Sequence, residues 1–276
     1  MSTSFAQYVA RPENEIVLAE AALLIAQDAY PALDVAHYLR WLDAQGELAR
    51  ERIGWRPALS KQIEGLNRLL FDELGFHGNA EQYDDPCNSY LNDVIERRSG
   101  IPITLSLIYI EVGTRAGLNI EGVGLPGHFI VRVNAAIEHI LLDPFNRGAR
   151  LTLADCEALM SRVYGRPMTA LPQYLEAVDK PTFLTRMLNN LENIHIQNEQ
   201  WSRALTAIEN KLALRAPASA VSDELRALGL VYFKLERLRD AENAWLRYLA
   251  LQPAALDAPL IRQNIELMRA ALAKRN

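Results

Sequence analysis

The stretch GLPGHFIVRVNAAIEHILLDPFNRG carries an imidazole, His128, and a carboxylate, Asp143, near opposite ends of one apolar, strand-like segment. An imidazole oriented by a carboxylate is the pairing that general-base catalysis uses. A serine or cysteine beside that base would complete a hydrolase-type triad. A hairpin turn centred on Ala135-Ala136 predicts Val131 opposite Ile140, Phe129 opposite Leu142 and His128 opposite Asp143. Directly opposed residues share a face, with Cβ atoms about 4.5–5.5 Å apart. A slip of one residue would send the two groups to opposite faces. The same pair is also what the end of a sheet uses to satisfy itself, because Asp before Pro starts turns.

The elements that must position these groups follow from periodicity. To about residue 83 the chain reads as helical: EIVLAEAALLIAQDAY keeps Ile16, Leu18, Ala19, Leu23, Ile25 and Ala26 on one face and stops at Pro31. VAHYLRWLDAQGELARERIGW and KQIEGLNRLLFDELGF repeat the theme, the second ending at Gly75. A Pro- and Asp-rich loop around Cys87 and a short helix, YLNDVIERR, come next. IPITLSLIYIEVGTRAGL is apolar on most sides and so belongs inside a domain, with Pro102 in its first turn and Gly117 at its end. The period then becomes strand-like in NIEGVG, HFIVRV and EHILLD. Helix resumes at LTLADCEALMSRVYG, where Thr152 and Asp155 form a capping-box pattern.

The C-terminal third is helical and repeats itself at an offset of about 37 residues, matching Leu191 with Leu228, Ala204 with Ala241 and Ile208 with Trp245. The second copy carries Leu228, Gly229, Tyr232, Ala241, Trp245 and Pro253 at spacings similar to a tetratricopeptide repeat. The first departs from it, with Glu192 at the Gly position and His195 at the Tyr position. Such repeats bind other proteins, and the region of Tyr232 and Trp245 is the expected partner-binding surface.

Bulk properties narrow the function. The formal charge of −5 and the absence of a dense basic run argue against a nucleic-acid surface. The apolar runs are too short to span a bilayer, and the N-terminus lacks the pattern of a signal peptide. Two cysteines, Cys87 and Cys156, imply no disulfide framework, so a reduced, cytoplasmic protein is expected. His37, His77, His128, His139 and His195 are scattered without HExxH or paired CxxC spacing, and no phosphate-cradling glycine loop precedes a helix. No metal and no cofactor is expected.

The segment RRSGIPITLSLIYIEVGTRAGLNIEGVGLPGHFIVRV followed by LLDPF resembles the transglutaminase-like core, in particular the bacterial SirB-type proteins with appended tetratricopeptide repeats. The resemblance is close over about residues 84–150. It implies an α+β, predominantly helical fold: a helical region over 1–83, a core over 84–180 in which a buried helix packs on a small antiparallel sheet, and helical repeats over 181–276. It also implies His128 and Asp143 as the triad's His and Asp. The family's cysteine should open the buried helix, at or beside Pro102, where neither Pro102, Ile101 nor Ile103 can attack a substrate. Ser106, one turn further on, is a weak stand-in, and Thr104 points elsewhere. The expected function is non-catalytic, a protein or peptide partner being bound. The alternative is a hydrolase or acyl transferase in which a His128–Asp143 dyad activates Ser106 or a water.

Overall fold

The computed structural model describes residues 4–54, 57–136, 138–214 and 218–275. It divides into two compact units, Met1–Met187 and Leu188–Asn276. The protein is α+β and predominantly helical, as the sequence predicts.

The first unit opens with α1 (Phe5–Val9), α2 (Leu18–Ala29), α3 (Val35–Ile53) and α4 (Leu59–Asn67). α2 buries Ala19, Leu23, Ile25 and Ala26, the face its periodicity gives it. α4 does not continue regularly to Gly75; it passes into a π-helical segment, Arg68–Glu73, before Gly75 turns the chain at φ 76°. A two-residue strand, β1 (His77–Gly78), pairs in parallel with β2 (Ser99–Gly100), which follows α5 (Leu91–Arg97). No periodicity could announce so short a ladder. Its effect is to clamp the loop 79–88 beside the entrance of α6 (Pro102–Arg115). The Asn88 side-chain amide donates to the carbonyls of Gln82 and Tyr83, while the Asn88 backbone carbonyl accepts from the Thr104 hydroxyl at 2.7 Å.

α6 is the centre of this unit. Pro102 stands at its first position, where a missing N–H leaves nothing unpaired, and every residue from Pro102 to Gly113 is buried. It packs against α2 and α3 and against β3 (Asn119–Val123) and β4 (Ile130–Asn134). α2 has no side-chain cap of its own; the buried Glu111 of α6 accepts from the Ala19 N–H at 3.0 Å. A carboxylate there meets the positive end of the α2 dipole. The sheet continues through β5 (His139–Asp143) and β6 (Ala149–Leu151), antiparallel throughout in the order β3-β4-β5-β6. α7 (Leu153–Tyr164) starts from the expected Thr152–Asp155 capping box and packs Cys156 and Met160 on Val123, Leu125 and Ile130.

α8 (Lys180–Gln197) runs from the first unit into the second, which adds α9 (Trp201–Ala213), α10 (Ala218–Lys234), α11 (Leu238–Leu251) and α12 (Ala258–Arg275). The internal repeat has a backbone signature. Asn198, Glu199 and Gln200 donate to the carbonyls of Ile194, Ile196 and His195; Leu235, Glu236 and Arg237 donate in the same way to Val231, Phe233 and Tyr232. Glu199 and Glu236 both take left-handed φ values, 54° and 57°. Where the second copy places Gly229 against the Trp245 ring, the first copy has a charged layer. Buried Lys211 is ion-paired with Glu192 and, at 2.6 Å, with Glu224 of α10. Burial, with Glu192 adding to it, pushes the Glu224 carboxyl up from its ordinary value against the pull of Lys211.

Gly229 sets up a contest between two effects. Alanine gains about 1 kcal/mol of helix propensity over glycine. A Cβ at 229, however, would lie 2.0 Å from the indole ring, which is held by a hydrogen bond from its N–H to the Arg226 carbonyl. Overpacking of that kind costs about 1–3 kcal/mol, so Gly229→Ala should destabilise the full chain in urea denaturation. A gain in stability would show that Trp245 is free to move.

Candidate functional site

The site is built on the Leu125-Pro126-Gly127-His128 turn. His128 N–H donates to the Leu125 carbonyl at 3.1 Å, and Gly127 sits at φ 72°, the geometry of a type II turn with Pro and Gly at its centre. His128 therefore stands just before β4, not within it as the sequence predicts. The register differs as well. Val131 pairs with Leu142 and Val133 with Ile140, a shift of two residues from the expected pairing, and His139 faces Asn134. An even shift preserves the face, so His128 and Asp143 meet as diagonal neighbours where direct opposition was expected. The imidazole Nε2 lies 2.9 Å from Asp143 Oδ2.

Asp143 is fully buried, and its carboxylate is surrounded by donors. Oδ1 accepts from the backbone N–H of Phe145 at 3.0 Å and of Asn146 at 3.4 Å, and Oδ2 accepts from the Asn146 amide at 2.6 Å as well as from His128. Pro144 opens the short 3-10 turn that aims both backbone donors back at it. A carboxylate only accepts, so Nε2 carries the hydrogen, and in the neutral ring Nδ1 is the acceptor nitrogen. Among the described residues no protein atom bonds Nδ1. The Phe145 ring stands at 89° to the imidazole with centroids 6.0 Å apart and leans on Tyr83 at 6.4 Å.

None of the candidate nucleophiles meets this imidazole. Pro102 is buried at the start of α6 and has no attacking atom. Ser106 is fully buried, and its hydroxyl is directed at the Phe129 carbonyl, 3.5 Å away. The Thr104 hydroxyl is committed to Asn88. Burial, then Asp93 and Asp85, push the half-buried Cys87 thiol up. Cys156 is buried and pushed up to about 11 by burial and then by the charges of Asp155 and Asp143, so it stays a thiol. No group of three or more metal-ligating side chains occurs among the described residues, and no helix among them is long and apolar enough to cross a membrane.

In the second unit, Tyr232 is half-buried under the Arg237 guanidinium, 4.5 Å from its ring. Trp245 is only 4% exposed, inside the core of α10 and α11, so this side chain packs helices together.

Sequence reasoning did not single out Asn146, Phe145, Tyr83, Tyr164 or Arg186. Asn146 was within reach, since Asp-Pro turns aim donors two and three residues on at the aspartate. Arg186, on α8, gave no local signal. Its guanidinium donates to the carbonyls of both Leu125 and His128, at 2.9 and 2.8 Å, and stacks over Phe129 at 5.1 Å. It pins the turn that carries the imidazole.

An imidazole–carboxylate pair on a small antiparallel sheet, with a buried helix packed on that sheet, defines a class, and sequence comparison agrees with it. Residues 36–189 match the transglutaminase-like superfamily. A UPF0162 protein of Xylella fastidiosa (strain 9a5c) is 36% identical over 261 residues, 92% of this chain and 90% of that one. UPF0162 protein PA3419 of Pseudomonas aeruginosa is 34% identical over 76% of each chain. F-box only protein 21 of Mus musculus is 35% identical over 140 residues, which is 48% of this chain and 21% of that protein. The chain belongs to the transglutaminase-like superfamily and, within it, to the UPF0162 proteins.

The donors around Asp143 make its removal costly. Asp143→Ala would leave two backbone N–H groups, the Asn146 amide and His128 Nε2 without their acceptor in a buried site, and should lose about 3–5 kcal/mol in urea denaturation. Asn146→Ala removes one donor and should lose about 1–2 kcal/mol. An Asp143→Ala protein within 1 kcal/mol of the parent, on the same order-of-magnitude scale, would mean the carboxylate does not organise this corner.

Proposed function

We propose that this protein is a SirB-type, cytoplasmic member of its family that works by holding a protein or peptide partner, without covalent catalysis. The observation that supports the reading is Pro102 at the first position of α6, at or beside the place the resemblance gives the family's cysteine. With no thiol or hydroxyl directed at His128, acyl transfer has no attacking atom. What remains is a well-braced imidazole, usable as a polar contact. The helices of residues 181–276, read as tetratricopeptide-like repeats, supply a second binding surface on the exposed side chains of α10 and α11. The relation to F-box only protein 21, which shares only a fifth of its length with this chain, is in keeping with a core reused as a module.

A second reading is favoured by one feature, the open Nδ1 of His128. An imidazole whose Nε2–H is held by a carboxylate can accept a proton from water at its other nitrogen, giving general-base hydrolysis without a protein nucleophile. The two readings separate in an assay of the full-length protein on peptide, amide and ester substrates. Binding alone predicts no turnover above the buffer rate, and no change on His128→Ala. Turnover that falls by about 10²-fold or more in a folded His128→Ala variant would establish the hydrolase.

A further inference from the structure

Arg186 is a charge without a counter-charge. It is partly buried, yet no carboxylate among the described residues lies within ion-pairing distance of it. Its two hydrogen bonds go to backbone carbonyls through a single nitrogen, and its flat face lies on Phe129. The backbone of Gly124 passes directly beneath: a Cβ there would lie 2.4 Å from the other terminal nitrogen, so the absence of a side chain makes room for the guanidinium. Burial disfavours its charged form, and the groups that favour it are the phenols of Tyr164 and Tyr83. Charges taken out of water are ordinarily paired. A guanidinium with a nitrogen to spare is the side chain best matched to a carboxylate.

The surroundings say what such a carboxylate would be attached to. Tyr83 is 42% exposed, Tyr164 50% and Val163 55%, an unusual concentration of uncovered apolar surface around one charge. Val163 rests on Gly127, in the turn that carries His128, and Tyr83 leans on Phe145, which faces the His128 ring. Guanidinium, imidazole and aromatic rim therefore all border the same turn. One amino-acid residue at the end of a chain carries the matching groups on a single Cα: a carboxylate for Arg186, an N–H for His128 Nδ1 and an apolar side chain for the rim. An acidic side chain inside a peptide carries its carboxylate without the other two.

We infer that the surface around the His128 turn binds the C-terminal carboxylate of a partner protein ending in an apolar or aromatic residue, with Arg186 as the anion receptor. This rests on the binding reading above and names the partner's chemistry.

The test titrates the full-length protein with three probes: acetyl-Gly-Gly-Phe with a free carboxylate, the same peptide as its C-terminal amide, and acetyl-Gly-Glu-Gly amide. Calorimetry gives affinities, and NMR follows the His128 ring. The free acid should bind saturably and move the His128 signals, the amide should bind at least tenfold more weakly, and the Glu peptide should do no better than the amide. Arg186→Gln should erase the preference for acid over amide. Because Arg186 also braces the turn, Tyr164→Ala, at an exposed position, is the second variant; it should weaken acid and amide together and leave their ratio intact. Equal binding of acid and amide would overturn the carboxylate assignment while leaving a peptide-binding surface. Preference for the Glu peptide would overturn the chain terminus. No binding of any probe would overturn both this inference and the peptide-binding reading it rests on.

Discussion

The corner of the first unit that carries the candidate site is organised around one buried negative charge. A carboxylate removed from water is tolerated only when hydrogen-bonded and paired, and Asp143 meets that condition with four donors: two backbone N–H groups, the Asn146 amide and the His128 imidazole. The consequences spread outward. Pro144 must start the turn that aims two N–H groups inward, and Gly148 at φ 70° closes it by donating to the Asp143 carbonyl at 2.8 Å. The Gly148 carbonyl in turn accepts from Asn67, which also accepts from the Tyr109 hydroxyl of α6. Through backbone carbonyls, the turn that the carboxylate organises is thus tied to α4 and to the central helix.

How much of this could be read from the sequence depended on whether a signal was local. The apolar stretch from Pro102 to Gly113 announced a buried helix because nothing but an interior accommodates apolar side chains all round. Strands β3, β4 and β5 were visible in their period of two, and the Thr152–Asp155 cap in its spacing. The hairpin register differs by two residues from the expected one because the pairing runs one position further along β4: the Ala135 N–H donates to the Glu138 carbonyl at 2.8 Å, and displacing the turn by one residue shifts every opposed pair by two. The His128–Asp143 pair survived that error because side chains alternate with period two. The parallel ladder at His77 and Ser99 and the π-helical segment at Arg68–Glu73 rest on contacts distant in sequence and left no periodic trace. Arg186 is the plainest case: its role comes from two carbonyls about sixty residues away, and nothing around it in the chain sets it apart from any other helical arginine.

The second unit shows the same limit from another side. The sequence marks its first copy as degenerate because Glu192 stands where the second copy has glycine. In the structure that position is not empty of purpose: Glu192 meets Lys211, which meets Glu224, and the three replace by charge the close approach that Gly229 makes against Trp245. A buried ion pair is weak evidence of stability, since its desolvation can equal its attraction, but it does fix which surfaces can meet. The backbone turns at Glu199 and Glu236 are nevertheless alike, so two chemically different layers are framed by one repeated connection.

The proposed binding role rests on two features, a braced imidazole and a proline at the first position of α6. In a triad the carboxylate orients the base toward a nucleophile; in the proposed reading the same orientation serves recognition. The bracing comes from several sides: Asp143 holds the His128 ring, Asn146 holds Asp143, and Arg186 holds the turn. Rigid polar atoms beside an apolar rim are what a recognition site requires, because ordering them in advance removes that entropy cost from binding. The geometry that would have aimed a proton transfer serves equally to hold one hydrogen-bond acceptor still.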